Sequence, residues 1–166
     1  AQPTKLYYIS PTFRCENTQA GRQRQFHQFG VEMLGSYSPA LDAEAISVAA
    51  ELLKRLGIKD VELRINSLGC NECRQRYNTA LKEYIGSNID KLCDDCKSRF
   101  DKNPLRVLDC KEEGCQRIIA EAPVVLDYLD DECKEHFETV KAILDDMGIK
   151  YTVDEKIVRG LDYYTR

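Results

Sequence analysis

The feature that most restricts how this chain can fold is a helix-to-strand joint that occurs twice, once toward each end. An apolar stripe at helical spacing leads up to Leu56, and another leads up to Met147. Each stripe is followed by Gly-Ile-Lys, at residues 57–59 and 148–150, and a glycine directly after such a stripe is a signal that ends a helix. We interpret the two joints as the same local solution to a helix-strand connection, and not as the sign of a duplicated domain.

Around the first joint the pattern predicts a strand pair and one helix. Residues 5–16 and 25–34 should form two strands, joined by a polar loop that contains Gly21. A helix should begin at Ser38, continue into the joint, and be followed by a strand at residues 61–65. Strands and helices of these lengths predict an α+β chain.

The region 67–122 differs from both ends, because it is densely charged and holds six of the eight cysteines. We predict that it is an insertion packed as its own subdomain, followed by a helix from about Asp130 and a strand from Tyr151. The elements predicted inside it are helices at about residues 73–85 and 92–100 and a short strand at residues 105–108. The predicted domain boundaries are therefore 1–66, 67–122 and 123–166.

The charge pattern limits the partners of the chain. The formal net charge is −4, which excludes a protein that binds nucleic acid through an overall basic surface. The first 29 residues, however, contain four basic residues and one acidic residue. This asymmetry marks either a place where an enzyme meets a polyanion or chance clustering on a solvated face. No apolar run is long enough to span a membrane. We expect a cytoplasmic protein, because the cysteine spacing argues for metal binding or reduced thiols.

Two cysteine pairs stand out by their spacing. Cys70-x2-Cys73 and Cys93-x2-Cys96 are separated by 19 residues. This spacing is typical of a structural zinc site, in which two turns supply four thiolates. A zinc ion bound by these four cysteines is the favoured interpretation, and reduced structural thiols or disulfides stay open as alternatives.

The other four cysteines receive smaller roles. Cys110 and Cys115 could supply one or two metal ligands in place of those named above. Cys133 is expected to be a small buried side chain, and Cys15 is expected to have no catalytic role.

Alternation along the two predicted strands places functional side chains on one face. In the second strand Phe26, Gln28 and Glu32 share a side, and in the first strand Arg14 and Glu16 do. If these are the same face of the sheet, the groups converge, and they suit an ATP phosphate, an adenine ring and a substrate ammonium. From the pattern alone, a half-exposed sheet with a wet face is the alternative.

The opposite side of the second strand is the predicted core face. His27, Phe29, Val31 and Met33 fall there. We therefore expect His27 to be a packed, hydrogen-bonded side chain and not a general base.

Two motifs relate these residues to a family. Residues 13–16, Phe-Arg-Cys-Glu, and residues 21–28, Gly-Arg-Gln-Arg-Gln-Phe-His-Gln, resemble motif 2 of class II aminoacyl-tRNA synthetases in its histidyl form. Residues 158–164, Val-Arg-Gly-Leu-Asp-Tyr-Tyr, resemble the histidine-specific motif of histidyl-tRNA synthetases. The resemblance extends over essentially the whole chain. It implies part of the class II antiparallel β-sheet with flanking helices, together with a mainly helical, cysteine-rich insertion.

The resemblance also implies roles for individual residues. The residues that contact ATP would be Arg14, Glu16, Arg22 and Phe26. The residues that bind histidine would be Gln28, Glu32, Arg159, Tyr163 and Tyr164. Arg14 and Arg159 would be catalytic because they hold the α-phosphate from two sides, and Arg24 would meet the acceptor end of tRNA. Strict alternation puts Tyr164 on the face opposite Arg159, unless Gly160 permits a bend.

The implied parent enzyme is a homodimer that activates histidine with ATP and magnesium and transfers it to tRNA(His). Motif 1, motif 3 and an anticodon-binding domain are not in this sequence, so we expect this polypeptide alone to lack turnover. Two other functions stay open: a synthetase-like regulatory subunit of ATP phosphoribosyltransferase, and a zinc-binding RNA module formed by the insertion. The nucleotide-binding residues of both motifs favour the enzyme, since a regulator has less need of them.

Overall fold

The computed structural model describes residues 3–15 and 17–157, which fall into two units, Ala1–Lys59 and Asp60–Arg166. In the first unit, strand β1 (Thr4–Phe13) pairs antiparallel with strand β2 (Gln25–Leu34) along their full lengths. Helix α1 (Pro39–Arg55) follows and packs against β2. The predicted strands and helix are confirmed, although the first strand ends at Phe13 and not at residue 16.

Local signals explain where α1 begins and how it is held. The Ser38 side chain accepts a hydrogen bond from the Ala40 N–H, and a proline opens the first turn, as at many helix starts. Lys5 of β1 forms an ion pair with Glu44 at 2.6 Å, which places α1 near the open end of the hairpin. Leu41 and Ala43 are buried. The first unit is thus a hairpin with one helix at the end away from its loop.

The second unit is mainly helical. Its two short strands, β3 (Arg64–Ile65) and β4 (Thr152–Val153), pair in parallel, with Arg64 opposite Thr152. The helices between them are α2 (Asn71–Ser87), α3 (Asp94–Lys102), α4 (Glu113–Ala120) and α5 (Asp131–Asp146). Single 3₁₀ turns lie at Ile89–Lys91, Pro104–Val107 and Val125–Tyr128. The mainly helical character predicted for the cysteine-rich region is confirmed.

The core of the second unit is built around α2. Tyr77, Leu81 and Ile85 recur at helical spacing on this helix and are almost completely buried. The buried residues that pack with them are Leu92, Cys96, Val107, Leu108, Cys110, Cys115, Ile119, Ala122 and Val125. Three of these nine residues are cysteines, so these three thiols are part of the core.

The strand predicted at residues 105–108 is wrong, because the segment forms a 3₁₀ turn, Pro104–Val107. Asn103 caps this turn by accepting a hydrogen bond from the Leu105 N–H at 3.1 Å. Proline at the first position then favours a helical start over an extended strand. The strand predicted at residues 61–65 is also shorter than expected, since only Arg64–Ile65 pairs with a neighbour.

The two helix-to-strand joints have the same geometry, as their sequences predict. Gly57 and Gly148 adopt φ values of 71° and 68°, in the left-handed region that favours glycine. After each glycine, an isoleucine N–H donates back to a leucine carbonyl, Ile58 to Leu53 at 3.1 Å and Ile149 to Leu144 at 2.9 Å. Across residues 3–15 and 17–157, no helix is both long and apolar enough to cross a membrane.

Candidate functional site

The register of the hairpin decides which side chains share a face. Thr12 lies opposite Phe26, Ser10 opposite Gln28, and Leu6 opposite Glu32. Directly opposed residues of an antiparallel pair project from the same face, so Phe26, Gln28 and Glu32 follow one another along one side. The Arg14 N–H donates to the Arg24 carbonyl at 2.8 Å, which extends the ladder by one pair and brings Arg14 to that side. Arg14 therefore shares a face with the three β2 residues, although Glu32 lies six residues along β2 from Phe26.

Arg14 and Phe26 form the centre of the candidate site. The guanidinium carbon of Arg14 lies 4.3 Å from the centroid of the Phe26 ring, within the range of a cation–π contact. A cavity of about 220 Å³ opens beside them and is also lined by Gly21, Arg22 and Gln23. Two guanidinium groups and an aromatic ring at one concave place are suited to a phosphorylated ligand with a flat base.

The loop between β1 and β2 contains a hydrogen-bonded turn at its tip, although its composition predicts a flexible connection. Gln19 and Arg22 exchange two backbone hydrogen bonds, at 3.2 and 2.8 Å, around a two-residue turn. Gly21 occupies the third position of this turn with φ at 75°, which a side chain would strain. The turn brings Arg22 back toward the cavity that Arg14 lines.

Tyr8 belongs to the site, and the sequence reasoning missed it. The Gln28 side-chain N–H donates to the Tyr8 hydroxyl at 2.9 Å. Tyr8 lies opposite Gly30, and a Cβ added at Gly30 would overlap its ring. The available signal was an aromatic residue opposite a glycine, a pairing in which the ring covers the bare backbone. This pairing can be recognised only when the register between the two strands is known.

The opposite face of the hairpin does not form the predicted core. His27 and Phe29 are exposed, and so are Tyr7 and Ile9 of β1. The physical reason is that α1 lies near the open end of the hairpin, where Lys5 pairs with Glu44, and does not reach the loop end. Val31 and Met33, nearer to α1, are half-buried.

Several predicted site residues cannot be placed. Glu16 lies outside the described residues, and so do Arg159, Tyr163 and Tyr164 of the second motif. Arg24 is described and exposed, next to the loop. The described part of the site is therefore its motif 2 half.

The cysteines of the second unit form two groups, and neither is the predicted one. Cys93, Cys96, Cys110 and Cys115 place their sulfur atoms within 4.8 Å of one another. The second group, with the same limit between ligand atoms, consists of Cys70, Cys73, Asp130 and Cys133. The predicted set of Cys70, Cys73, Cys93 and Cys96 is thus corrected. Cys133 is buried, as expected, and its sulfur also lies in the second group.

Helix length explains why the two Cys-x2-Cys pairs do not meet. Cys70 caps the start of α2, which has 17 residues and is therefore about 25 Å long. Cys93 comes six residues after its last residue, Ser87, and those residues include a 3₁₀ turn that shortens their reach. The chain cannot return along the whole helix in that distance, so each pair finds partners from later segments.

The pKa values of the thiols reflect their burial and their mutual hydrogen bonds. Burial raises the pKa of Cys96 and of Cys115, and it raises that of Cys133 to about 11. For Cys70, the Cys73 N–H lowers the pKa, but burial and the carboxylates of Glu72 and Asp130 raise it to about 12. At these four positions the surroundings favour the neutral thiol over the thiolate.

The pKa values of two side chains, Cys93 and Asp130, are lowered. The Cys96 N–H lowers the pKa of the Cys93 thiol. The Cys133 N–H, followed by the thiol of Cys70, holds the pKa of Asp130 well below its usual range. Each of the two cysteine clusters therefore contains one side chain whose surroundings favour its anionic form.

The fold and the motif 2 face define part of an aminoacyl-tRNA synthetase, and comparison with known proteins defines the family. A family model described as Histidyl-tRNA synthetase matches residues 1–166, and the chain belongs to this family. It is 59% identical over 165 residues to the histidine–tRNA ligase of Caldanaerobacter subterraneus and 61% identical over 164 residues to that of Halothermothrix orenii. Each match covers 99% of this chain and about 40% of the relative.

A solved structure gives the same result for the fold. The apo crystal structure of Staphylococcus aureus histidyl-tRNA synthetase superposes with a TM-score of 0.72 at 42% sequence identity. The match covers 99% of this chain and 37% of that protein. The α+β fold predicted from the sequence, part of a synthetase catalytic region, is confirmed.

Proposed function

We propose that the longer enzyme containing this chain is a histidine–tRNA ligase, which activates histidine with ATP and transfers it to tRNA(His). The observation that carries the proposal is the arrangement of Arg14 over Phe26, beside a cavity that Arg22 also lines. The names of the relatives support it, and they do not support the regulatory-subunit alternative. Within this enzyme, the chain contributes the motif 2 face and the cysteine-rich insertion at residues 67–122.

The proposed reaction forms one bond and breaks one bond at the α-phosphorus of ATP. A histidine carboxylate oxygen attacks the phosphorus, and pyrophosphate leaves from the opposite side. Negative charge builds up on the non-bridging oxygens, and Arg14 would stabilise it together with Arg159. One such preorganised donor is worth about 3 kcal/mol, or roughly a hundredfold in rate.

A movement of Arg14 on ATP binding would free one face of the Phe26 ring for adenine. Adenine needs a face of the Phe26 ring, and the guanidinium of Arg14 covers one face in this structure. We propose that adenine takes that face and that Arg14 swings from the ring onto the α-phosphate. Arg22, and Glu16 from the same motif, would then orient the nucleotide.

The histidine pocket would begin at Gln28. Because its N–H donates to Tyr8, the carbonyl oxygen of the same amide is left to accept a hydrogen bond from the substrate ammonium. Glu32 lies four residues further along the same side and would supply the opposite charge. Tyr163 and Tyr164 would complete the pocket around the imidazole, with Arg159 at the carboxylate end.

Other parts of the proposal follow from the family. Arg24 would contact the acceptor end of tRNA, and the enzyme would act as a cytoplasmic homodimer. Magnesium would be held by the ATP phosphates, since the described residues that line the cavity carry no carboxylate. Zinc bound by the cysteines of the second unit would serve structure and would not enter the reaction.

The test is a chimaera of the Caldanaerobacter subterraneus enzyme in which this chain replaces its matching region. Histidine-dependent exchange of pyrophosphate into ATP measures adenylate formation directly. We expect Arg14→Lys to lower the exchange rate by roughly a hundredfold, because an ammonium cannot reproduce the two-pronged contact of a guanidinium. Histidine binding measured by calorimetry should change by less than about threefold.

Arg55→Lys is the matched control. Arg55 lies at the exposed end of α1 and pairs with Glu51 at 2.7 Å, so the same chemical change there should leave exchange unaltered. Equal losses in the two variants would contradict the role of Arg14. A chimaera that binds histidine but shows no exchange at all would favour the regulatory alternative.

A further inference from the structure

The sulfur atoms of Cys93, Cys96, Cys110 and Cys115 have the spacing of a metal-binding tetrahedron. In a four-thiolate zinc site, bonds of about 2.3 Å place neighbouring sulfurs about 3.8 Å apart. The sulfurs of Cys93 and Cys110 are 3.8 Å apart, and all four lie within 4.8 Å of one another. Three of the four residues are buried, so water has little access to compete for the ion.

The second group repeats this arrangement with one carboxylate. The sulfurs of Cys70 and Cys73 are 3.4 Å apart, and both lie within 3.3 Å of the Asp130 Oδ2 atom. The other oxygen of Asp130 accepts the Cys133 N–H at 2.7 Å, which fixes the carboxylate at the start of α5. One oxygen thus orients the side chain and the other faces the thiols.

Hydrogen-bond donors are in place for the charge that thiolates would carry. The Cys93 N–H points at the Cys115 sulfur at 3.3 Å. In the second group, the N–H groups of Cys73 and Asp130 point at the sulfurs of Cys70 and Cys73, at 3.5 and 3.2 Å. The guanidinium of Arg76 lies 3.6 Å from the Cys73 sulfur. Such donors stabilise anionic sulfur more than they stabilise a neutral thiol.

We propose that this chain binds two structural zinc ions, one through Cys93, Cys96, Cys110 and Cys115 and one through Cys70, Cys73, Cys133 and Asp130. Four protein ligands close each site, so neither ion has a position for substrate, and both serve structure. Thiolate ligands favour zinc over magnesium or calcium. The proposal concerns the second unit alone and does not depend on the proposed activity.

The positions of the two ions give each a separate task. The first would join the start of α3 to the segment that leads into α4, where the helices have only nine and eight residues. Helices this short are not stable without tertiary support. The second would join the start of α2 to the start of α5, because Cys70 and Asp130 cap these two helices.

The test is the zinc content of the 166-residue chain, folded in zinc chloride with a reductant and then desalted. Elemental analysis should give two zinc ions per chain. Cys110→Ser and Cys133→Ser should each give one, and the double variant should give none. Cys15→Ser should keep both ions, because Cys15 is exposed and lies outside the two groups.

The single site predicted from spacing alone, with Cys70, Cys73, Cys93 and Cys96, gives a different result. It would yield one ion per chain, and neither Cys110→Ser nor Cys133→Ser would reduce it. That outcome would overturn the proposal, and so would a zinc content near zero in the unmodified chain. One ion that is lost in only one of the two variants would retain that site and overturn the other.

Thiol counting covers the case in which a variant does not fold. In the zinc-bound, unmodified chain we expect one of the eight thiols to react rapidly with a thiol reagent, namely Cys15. Addition of a strong chelator should release two zinc ions and expose seven further thiols. Seven thiols that react at the same rate with and without chelator would contradict both sites.

Discussion

The side chains of Tyr8 and Gln28 form a hydrogen bond between the two strands of the hairpin. The amide of Gln28 can present either its N–H groups or its carbonyl oxygen to a ligand, and the two differ in charge preference. In this structure an N–H of Gln28 donates to the Tyr8 hydroxyl, so the carbonyl oxygen is the part of the amide left for a ligand. Gly30 leaves room for the ring of Tyr8, so three residues on two strands make this contact possible.

Removal of that hydroxyl should weaken histidine binding. In the chimaeric enzyme described above, we expect Tyr8→Phe to raise the KM for histidine about fivefold, which corresponds to a hydrogen bond of about 1 kcal/mol. The KM for ATP should not change. The measurement is pyrophosphate exchange at varied histidine concentration.

Tyr7→Phe is the control for this prediction, because Tyr7 projects from the opposite face and is 75% exposed. It should leave both KM values unchanged. An equal effect of the two substitutions, or a fall in kcat with an unchanged KM, would argue against the orienting role of Tyr8.

The residues of the candidate site differ in how far sequence alone can predict them. Alternation is a local rule, so it correctly placed Phe26, Gln28 and Glu32 on one side of a strand. Tyr8 could not be predicted in the same way, because its position opposite Gly30 depends on the register between two strands. Register is set by the turn and by packing, which no single strand encodes.

At the scale of the elements, the two glycine joints end α1 and α5 by the same conformation. The cost of replacing such a glycine comes from its backbone, since nothing lies within 4 Å of a Cβ added at Gly57 or Gly148. This separates conformational strain from a steric clash. Substitutions at these glycines therefore measure how much a left-handed helix end contributes to the free energy of unfolding.

We expect Gly148→Ala to lower the free energy of unfolding of the second unit by about 1 kcal/mol, because alanine disfavours a φ of 68°. Gly114→Ala is the matched control. Gly114 lies in α4 with open space around it and without a positive φ, so alanine there should be neutral or should stabilise by up to about 1 kcal/mol. Urea unfolding followed by circular dichroism measures both. A loss at Gly114 as large as that at Gly148 would contradict the conformational explanation.

The elements also show where pattern reading succeeds and fails. The joints were predictable because glycine, its flanking residues and the apolar stripe all lie within one short window. The segment at residues 105–108 reads as an apolar strand, but Asn103 and Pro104 start a helical turn just before it. Capping by one side chain outweighed the strand preference of four residues.

On the scale of the whole molecule, the sulfur groups are confined to the second unit. The spacing of each Cys-x2-Cys pair predicts two metal ligands, and the two members of each pair lie in the same sulfur group. The partners of each pair could not be predicted, because they depend on how α2 separates the pairs and on where later segments return. This is a property of the tertiary fold and not of any local pattern.

Removal of zinc should therefore loosen one unit and spare the other. We expect a chelator to accelerate amide hydrogen exchange throughout α2, α3 and α4, since their core is small and includes three cysteines of the first sulfur group. The β1–β2 hairpin and α1 should keep their exchange rates, because the first unit contributes no ligand to either group. Exchange measured by mass spectrometry resolves the two units. Equal acceleration in both would contradict a local, structural role of the ions.

The contact between Cys73 and Asp130 also has a mechanical consequence. The Asp130 N–H donates to the Cys73 sulfur across a sequence separation of 57 residues. Strand β3 precedes Cys73 in the chain, strand β4 follows Asp130, and the two strands pair in parallel. Tension applied at Asp60 and Ile157 would load β3 and β4 in shear, because parallel neighbours pulled at opposite ends slide past each other. As long as the β3–β4 pair holds, the chain between these strands, residues 66–151, about 290 Å when extended, carries no load. The cysteine-rich region would then remain folded while the strands that flank it bear the force.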